Sequence, residues 1–267
     1  MTKISILGCG WLGLPLAKAL LGKGFSVNGS TTSIEKLSVL ENAGIISFLV
    51  SLDSKSVSGT VESFLQERST LIIDIPPKLR GSNKENFVGK IKVLIPFIEK
   101  SSVNNVLFIS STSVYGEEND IFTEESPLNP DTESGKQLVE AEQLLQSNKH
   151  FKTTVLRFGG LIGEDRHPVR FLAGRENIDN PEAPINLIHQ EDCIGIILKI
   201  IETNSWNQTF NAATPFHPTR ESYYTQKAID LSLALPKFNH EKVSIGKTIL
   251  SDNIKSILNY NFTKPNL

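Results

Sequence analysis

Cysteine and tryptophan are rare in this sequence, and neither positive nor negative charge is in large excess. Its 267 residues include two cysteines and two tryptophans, and 27 basic residues nearly balance 29 acidic ones. Neither Cys9 nor Cys193 has neighbours at the spacing of a zinc or redox motif, so both are expected to be small core residues. No metal site is therefore predicted. With no basic run and a net charge of −2, a nucleic-acid partner is not expected either.

Long apolar runs are missing as well. No stretch approaches the roughly 20 uncharged residues of a transmembrane helix, which favours a cytoplasmic protein with no membrane partner. The run from Lys3 to Leu21 has the polarity of a secretory signal, but three glycines, Pro15 and Lys18 interrupt it. Because no small-x-small cleavage site follows, the run is predicted to belong to the folded domain.

The same run contains the pattern around which the chain is organised. Its first apolar residues predict a buried parallel strand, which ends at Gly8 and is followed by a helical spacing of Leu and Ala. Gly8 permits a tight turn, Gly10 lets a pyrophosphate approach the backbone, and Gly13 lets helix and strand pack closely. With Trp11 and Leu12, this turn is predicted to bind a dinucleotide. The alternative is a purely structural glycine turn.

Strands and helices alternate along the chain. Runs rich in Ile, Leu and Val predict strands that begin near residues 3, 25, 45, 70, 106, 153, 185 and 210. Helices are predicted at 34–42, 61–66, 83–99, 134–146, 193–202, 219–233 and 249–258. This rhythm predicts an α/β fold with a Rossmann-type doubly wound parallel sheet. Residues 1–160 are expected to form a dinucleotide-binding domain, and 161–267 to complete the sheet and form a small C-terminal, substrate-side subdomain.

The end of the second predicted strand bears on the choice of cofactor. A fold that binds NAD usually has an acidic residue here for the ribose hydroxyls, but the first acid is Glu35. A carboxylate would repel a 2′-phosphate, whereas small hydroxyl residues before a helix can donate hydrogen bonds to it. The sequence therefore favours NADP over NAD. The four hydroxyl residues are Ser30, Thr31, Thr32 and Ser33, the last of which has an alternative role as a simple helix cap.

Three further residues are candidates for contact with the cofactor. Asp53 follows the third predicted strand, where an acid often contacts the adenine, although an isolated loop aspartate is also commonly just solvated. Ile75 and Pro76 end the fourth predicted strand, which would lie beside the cofactor. Pro76 and Pro77 force an extended exit from that strand.

Hydroxyl residues follow the fifth predicted strand, from Ser110 to Ser113. They are costly to bury without partners, and ligands bind at this edge of a parallel sheet, so Thr112 and Ser113 are candidate substrate contacts. The alternative is a turn that caps its own backbone. Lys136 lies in the first turn of a predicted helix, where its positive charge interacts unfavourably with the helix dipole. A lysine at such a position indicates a specific local role.

A charged, proline-marked segment follows the sixth predicted strand. Arg166, His167 and Arg170 lie in it and are predicted to face the substrate, with the arginines available to an anionic group. The alternative is that these arginines are ordinary surface residues. Their position after a strand end favours the substrate-facing role.

Taken together, the glycine turn, the stretch Ser111–Gly116 and Lys136 resemble the extended short-chain dehydrogenase/reductase superfamily, the NAD-dependent epimerase/dehydratase group. Further matching positions extend over nearly the whole chain: Arg157, Gly163, Ile188 to Asp192, and Phe210 with Asn211. The stretches Gly10–Gly13, Ser110–Gly116 and Gly163–Pro168 resemble the atypical YeeZ-like subgroup. The resemblance implies a cofactor-dependent enzyme, and related enzymes often form homodimers through two helices of the first domain.

The resemblance also implies a catalytic set from which one member is missing. In that superfamily a Ser or Thr, a Tyr, and a Lys four residues after the Tyr carry the chemistry, which places Ser111 and Lys136 in two of these roles. Thr132 occupies the tyrosine position. Tyrosine needs a pKa shift of about three units to act as a base, and a threonine hydroxyl cannot be brought into that range. Tyr115 is the nearest replacement in sequence.

Two functions remain open from the sequence. One is an NADP-preferring oxidoreductase or epimerase-like enzyme in which Ser111 and Lys136 position a small metabolite, and Lys136 also binds the cofactor. The other is a catalytically inactive sensor or scaffold that binds the dinucleotide. Because fold alone does not decide function, the residues of the site must distinguish them.

Overall fold

The computed structural model describes residues 2–77, 79 and 86–267 of the chain. Eight strands form the main sheet in the order β11-β8-β6-β5-β1-β2-β3-β4, parallel throughout except for the β3–β4 pair. The strands are β1 (Lys3–Leu7), β2 (Ser26–Thr31), β3 (Ile46–Leu52), β4 (Val57–Gly59), β5 (Thr70–Ile73), β6 (Asn105–Ser111), β7 (Ile121–Phe122), β8 (Lys152–Phe158), β9 (Gly160–Ile162), β10 (Leu187–His189), β11 (Thr209–Ala212) and β12 (Thr248–Ile249). Two small parallel sheets, β9–β10 and β7–β12, complete the strands.

Helices cover both faces of the main sheet. They are α1 (Gly13–Gly22), α2 (Leu37–Asn42), α3 (Val61–Leu65), α4 (Phe87–Glu99), α5 (Glu133–Gln146), α6 (Val169–Leu172), α7 (Gln190–Glu202), α8 (Arg220–Asp230) and α9 (Asp252–Ser256). Among the described residues, no helix has the length and apolarity needed to cross a membrane.

The pleat of β1 shows how the sheet separates two apolar layers. Ile4 and Ile6 pack in the cluster that contains α1 and α7, while Leu7 packs in the cluster that contains α3, α4 and α5. Successive strand residues point to opposite faces, so a strand buried on both sides is apolar almost throughout. Ser5 is the exception, and its buried hydroxyl donates to the Phe64 carbonyl oxygen at 2.6 Å. The predicted doubly wound α/β fold is confirmed.

The sheet order reverses between β1 and β5, which are neighbours although β2 follows β1 in the chain. Connections leave β1 and β5 in opposite directions across the sheet, so a crevice opens at their carboxyl ends. The glycine turn follows β1 and lies at this crevice.

Several predicted elements differ from those observed. The last predicted helix, 249–258, is a short strand, β12, followed by the five-residue helix α9, because Ile249 pairs with Phe122 of β7. The 83–99 helix begins at Phe87 in the described residues, with Asn86 as its N-cap, and positions 83–85 lie outside them. The 34–42 helix starts with a 3₁₀ turn. The 193–202 helix begins three residues earlier, at Gln190.

Candidate functional site

A cleft of about 200 Å³ lies at the carboxyl ends of β1, β2, β3 and β5. Its lining includes residues from the glycine turn, the end of β2, the end of β3 and the exit of β5. They are Leu7, Gly8, Cys9, Gly10, Ser30, Thr31, Thr32, Ser33, Lys36, Val50, Leu52, Asp74, Ile75, Pro76 and Lys90. The cleft thus collects eight of the predicted cofactor residues: Gly8, Gly10, Ser30, Thr31, Thr32, Ser33, Ile75 and Pro76.

At two positions of the glycine turn the backbone packs so closely that only glycine fits. Gly8 has φ +105°, and a Cβ there would lie 2.2 Å from the Asp74 carbonyl oxygen. A Cβ on Gly13 would lie 2.2 Å from the Gly8 carbonyl oxygen. At Gly10, by contrast, no described atom lies within 4 Å of a Cβ position, so the backbone is open to the cleft. This open backbone fits the close approach of a phosphate group.

Ser30 shapes this turn rather than facing a ligand freely. Its side-chain oxygen accepts from the Gly8 N–H at 3.0 Å, and its carbonyl oxygen accepts from the Cys9 N–H at 2.8 Å. The side chain is buried, with 1% of Ser30 exposed. The other hydroxyl residues are more available: Thr32 is exposed and Ser33 is half-buried, while the Thr31 hydroxyl accepts from the Ser33 N–H at 3.1 Å.

Lys36 is a cleft residue that the sequence interpretation missed. It is exposed, follows the hydroxyl residues by one helical turn, and lines the cleft together with Thr32 and Ser33. The spacing in the sequence could have identified it. Lys36 is three residues after Ser33, and residues three apart lie on the same face of a helical turn. A cation and several hydroxyl groups therefore meet where the ribose of a dinucleotide is expected.

Asp53 is not among the residues that line the cleft, so its predicted adenine contact stays a prediction. Its carboxylate accepts hydrogen bonds from the N–H groups of Lys55 and Ser56 at 2.7 and 3.0 Å, and from the Ser56 hydroxyl at 2.7 Å. These bonds lower the pKa of Asp53 below its ordinary value. The carboxylate stabilises its own exposed turn, as short polar side chains in loops commonly do. Val50 and Leu52 supply the apolar wall at this end of the cleft instead.

Asp74 is a second cleft residue that the sequence interpretation missed. It follows β5, and its carboxyl group accepts a hydrogen bond from the Gly13 N–H at the start of α1. Burial raises the pKa of Asp74 to about 8, against the opposing effect of that hydrogen bond. In the sequence Asp74 stands between the apolar residues Ile73 and Ile75, so the local pattern predicts a strand residue and gives no sign of a cleft position.

The remaining turn residues lie outside the cleft lining. Leu12 is buried in the core beneath the turn, and Gly13 packs against Gly8. Trp11 lines a second cavity, of about 640 Å³, which shares Cys9, Gly10 and Lys36 with the lining of the first cleft. Its indole N–H donates to Asp165 at 2.8 Å, and the Arg166 guanidinium lies 4.9 Å from the ring centroid. The tryptophan thus connects the glycine turn to the segment after β9.

The end of β6 packs against the start of α5, the two elements that carry the predicted catalytic residues. A Cβ on Gly135 of α5 would lie 2.2 Å from the Ser113 carbonyl oxygen, so the glycine is required for this contact. The Ser111 oxygen accepts from the Ser113 N–H at 3.2 Å, which leaves the Ser111 hydroxyl proton for another acceptor. Thr112 is buried and Ser113 half-buried.

Thr132 is the N-cap of α5, and its hydroxyl accepts from the Gly135 N–H at 3.1 Å. Lys136 lies in the first turn of the helix and is exposed. Thr132, which the sequence comparison predicts to stand at the family's tyrosine position, therefore stabilises the helix end, a role for which threonine is suited and tyrosine is not. Lys136 remains a candidate for the cofactor and substrate.

The structure argues against Tyr115 as a replacement base, which corrects that prediction. Its hydroxyl lies in a buried network, accepting from Arg157 at 2.7 Å and contacting the Asn211 side chain at 2.8 Å. Burial raises the pKa of Tyr115, the opposite of what a base requires. Arg157 is held in turn by Glu142 in a buried ion pair at 2.7 Å. This network joins β6, β8, α5 and β11 and has a structural role.

The predicted substrate residues after β9 are not brought together as one anion site. Arg166 is exposed and lies against Trp11. His167 contacts the Tyr223 hydroxyl at 2.9 Å, and burial, with the charges of Lys227 and Arg170, lowers its pKa to about 4. Arg170 is exposed on α6. The half-buried, uncharged His167 packs against the rings of Tyr223 and Tyr224, so it brings no positive charge to an anionic substrate, and its predicted substrate contact stays a prediction.

One group of possible metal ligands occurs in the described part of the chain: Glu182, Glu221 and His240. His240 and Glu221 form an ion pair at 3.3 Å with both side chains partly exposed. Surface groups of this kind are common without a metal, and this one lies outside the cleft lining.

Comparison with known proteins identifies the family. A model described as "NAD dependent epimerase/dehydratase family" matches residues 4–213. The chain belongs to this family. It is 33% identical over 267 residues to "Protein YeeZ" of Escherichia coli (strain K12), covering 99% of this chain and 97% of that protein. The predicted membership of the extended short-chain dehydrogenase/reductase superfamily, in a YeeZ-like branch, is therefore confirmed.

Solved structures share the fold over nearly the whole chain. A functionally unknown conserved protein from Silicibacter pomeroyi has a TM-score of 0.81 at 21% identity, covering 100% of this chain and 95% of that one. UDP-glucuronic acid 4-epimerase from Bacillus cereus, solved in complex with NAD, has a TM-score of 0.79 at 17% identity, covering 98% and 92%. These two proteins have the same overall fold as this chain.

Proposed function

We propose that this protein binds NADP in the cleft beside the glycine turn, in preference to NAD. The observation that carries the proposal is the meeting of Lys36 with Thr32 and Ser33 at one end of the cleft. A lysine cation and two hydroxyl groups suit a 2′-phosphate, and the described cleft lining contains no carboxylate at this end.

The cleft residues fit the cofactor along its length. The open backbone at Gly10 and the start of α1 suit the diphosphate, while Val50 and Leu52 suit an adenine ring. Ile75 and Pro76 border the cleft towards β6, the side on which the predicted catalytic residues lie. A bound nicotinamide would supply or accept a hydride there.

We further propose an oxidoreductase or epimerase-like reaction on a small metabolite, with Ser111 and Lys136 in named roles. The Ser111 hydroxyl already accepts one hydrogen bond and so can donate its proton to a carbonyl or hydroxyl oxygen of the substrate. Lys136 is exposed at the start of α5, and its proposed role is to bring a positive charge to the same oxygen or to the cofactor ribose. With no tyrosine base, turnover is expected to be ~10²–10⁴ slower than in relatives that have one.

A second candidate function is favoured by Thr132. Its hydroxyl caps α5, which supports the proposal that the position of the family's acid/base tyrosine serves helix stability in this chain. A protein that binds the dinucleotide without chemistry, as a sensor or scaffold, is consistent with that exchange. Such a protein is expected to bind NADPH but to oxidise it with no carbonyl compound.

The cofactor proposal is tested by titrating the protein with NADPH and NADH and following energy transfer from its tryptophans. Tighter binding of NADPH is expected, and Lys36→Ala should weaken NADPH binding by about tenfold while changing NADH binding less than twofold. Lys18→Ala, at an exposed lysine of α1 outside the cleft lining, is the control. Equal affinities for the two dinucleotides in the native protein contradict the NADP preference.

The reaction is tested by NADPH oxidation with a panel of small carbonyl compounds. Turnover that disappears in Lys136→Ala but survives in Lys149→Ala, an exposed lysine beyond α5, supports the enzyme. Turnover that is unchanged in Lys136→Ala refutes the role given to Lys136. NADPH binding without turnover of any compound favours the sensor or scaffold.

A further inference from the structure

Asp74 places a carboxyl group against the turn that is proposed to hold a diphosphate. Its backbone N–H bonds to the Leu7 carbonyl oxygen at 2.9 Å, extending the β5–β1 pairing by one residue. The side chain reaches the start of α1, where it accepts a hydrogen bond from the Gly13 N–H. One of its oxygens lies 3.2 Å from the position that a Gly13 Cβ would occupy. Asp74 is therefore fixed beneath the glycine turn.

This carboxyl group also lines the cleft, with Gly8 and Gly10 as its neighbours in the lining. It is the one carboxyl group in the lining that the structure describes. A dinucleotide carries two negative charges on its diphosphate, and two like charges in a partly buried site repel each other strongly. Asp74 must therefore be neutral, or move, when a diphosphate lies on the turn.

Movement is opposed by the packing of the turn. The Asp74 carbonyl oxygen lies only 2.2 Å from the position of a Cβ on Gly8, so backbone and turn are in direct contact. The side chain is also the acceptor for an amide at the end of α1. A neutral carboxyl group keeps an acceptor oxygen for that amide and gains an O–H donor for a phosphate oxygen.

We propose that the cleft binds its dinucleotide with Asp74 as the neutral carboxylic acid, so that binding takes up one proton at this residue wherever Asp74 is ionised beforehand. The inference rests on the proposed dinucleotide site. It adds to that site a specific donor for the diphosphate and makes the affinity depend on pH.

The pH range in which this linkage acts follows from the surroundings. Burial raises the pKa of Asp74 to about 8, so the group is largely neutral at pH 7 and ionised above pH 9. The titratable groups around it are two thiols and two lysines. The charge of Asp74 contributes to the raised pKa of the Cys9 and Cys193 thiols. Lys36 and Lys90 share the cleft lining with Asp74. Burial raises the pKa of Cys9 to about 12 and that of Cys193 well above its usual value, so neither thiol ionises in this range.

The test is an NADPH titration from pH 7 to 9.5 with three proteins. This range lies above the 2′-phosphate pKa of about 6, so the ligand does not titrate. The native dissociation constant is expected to rise roughly tenfold between pH 7 and 9, because each bound ligand must then take up a proton. Asp74→Asn, which is neutral throughout, should change less than twofold. Asp53→Asn, at an exposed carboxylate outside the cleft lining, should follow the native protein.

Calorimetry of the native protein at pH 9 in two buffers of different ionisation enthalpy gives the proton count without a variant. Uptake close to one proton supports the inference, and no uptake overturns it. Binding with the same pH dependence in the native protein and in Asp74→Asn overturns the inference while leaving the cleft as the cofactor site. No binding at any pH by the native protein rejects the proposed function and this inference with it.

Discussion

Single residues at the glycine turn decide how the cleft behaves. Backbone atoms leave no room for a side chain at Gly8 or Gly13, whereas no described atom lies within 4 Å of a Cβ position at Gly10. Lys36 brings a positive charge to the cleft lining, and Asp74 brings a carboxyl group that is largely neutral at pH 7 because its pKa is raised to about 8. The charge of the proposed dinucleotide site therefore depends on pH through Asp74.

Asp74 also links stability to pH. Its pKa is about 8 in the folded protein and near 3.8 in an unfolded chain, so the folded state holds this proton more tightly. Stability is therefore lost as the pH rises from about 4 to 8, and the loss is complete above pH 8. Asp74→Asn is expected to raise the free energy of unfolding by on the order of a few kcal/mol at pH 8.

At pH 4 the same substitution is expected to have little effect, since the carboxyl group is then neutral in both states. Urea denaturation of the native protein and Asp74→Asn at the two pH values measures the difference. A variant that is less stable than the native protein at pH 8 contradicts the burial argument.

At the scale of elements, the start of α5 carries the proposed replacement of the family's tyrosine. Thr132 caps the helix with its hydroxyl, four residues before Lys136. Thr132→Tyr places a phenol at the proposed tyrosine position but removes that cap, so the free energy of unfolding should fall by ~1 kcal/mol. If the enzyme proposal holds, NADPH turnover should rise at least tenfold.

Thermal denaturation and NADPH oxidation, measured on the same preparation, separate the two effects. Thr132→Ala is the matched control because it loses the cap without gaining a phenol. A rise in turnover in both variants points to the loss of the cap rather than the tyrosine. No rise in Thr132→Tyr contradicts the assignment of this position.

The elements themselves were largely predictable where the apolar pattern is regular. Strands buried on both faces, such as β1, are continuous runs, and the glycines mark the end of β1 directly. Short elements depend on distant partners and were missed: β12 forms only because Ile249 finds Phe122, far away in the chain.

The site residues also fall into two groups, those that local sequence spacing predicts and those that depend on distant parts of the chain. Those within the glycine motif and the hydroxyl run follow from local spacing. Lys36 and Asp74 join the cleft only through the sheet order, and Tyr115 and His167 find their side-chain partners on elements far away in the chain. Such contacts are tertiary, and sequence spacing does not determine them.

At the scale of the whole molecule, the end of the chain is tied to the core through Asp192 of α7. This buried carboxylate accepts from the Tyr260 hydroxyl at 2.8 Å, from the N–H and hydroxyl of Thr263 at 2.6 and 2.9 Å, and from the Lys264 N–H at 3.0 Å. His189 is the N-cap of α7, which leaves the Asp192 carboxylate for the tail.

Asp192→Ala should lower the free energy of unfolding by ~3 kcal/mol or more, because several donors lose a charged acceptor at once. Residues 259–267 should then become sensitive to limited proteolysis. Glu191→Ala, at the exposed neighbouring carboxylate, should cost at most ~1 kcal/mol. A tail that stays protected in Asp192→Ala disproves the anchoring role.

The central claim is that a dinucleotide lies on the glycine turn, and Gly10→Val tests it most directly. A side chain at Gly10 meets no described atom within 4 Å, so the fold should persist, but it would occupy the space proposed for the diphosphate. Gly22→Val is the control, since Gly22 at the end of α1 is equally uncrowded and lies outside the cleft lining. NADPH titration should show binding lost in Gly10→Val, by at least 100-fold, and retained in Gly22→Val. NADPH binding of native affinity by a folded Gly10→Val protein would contradict the account.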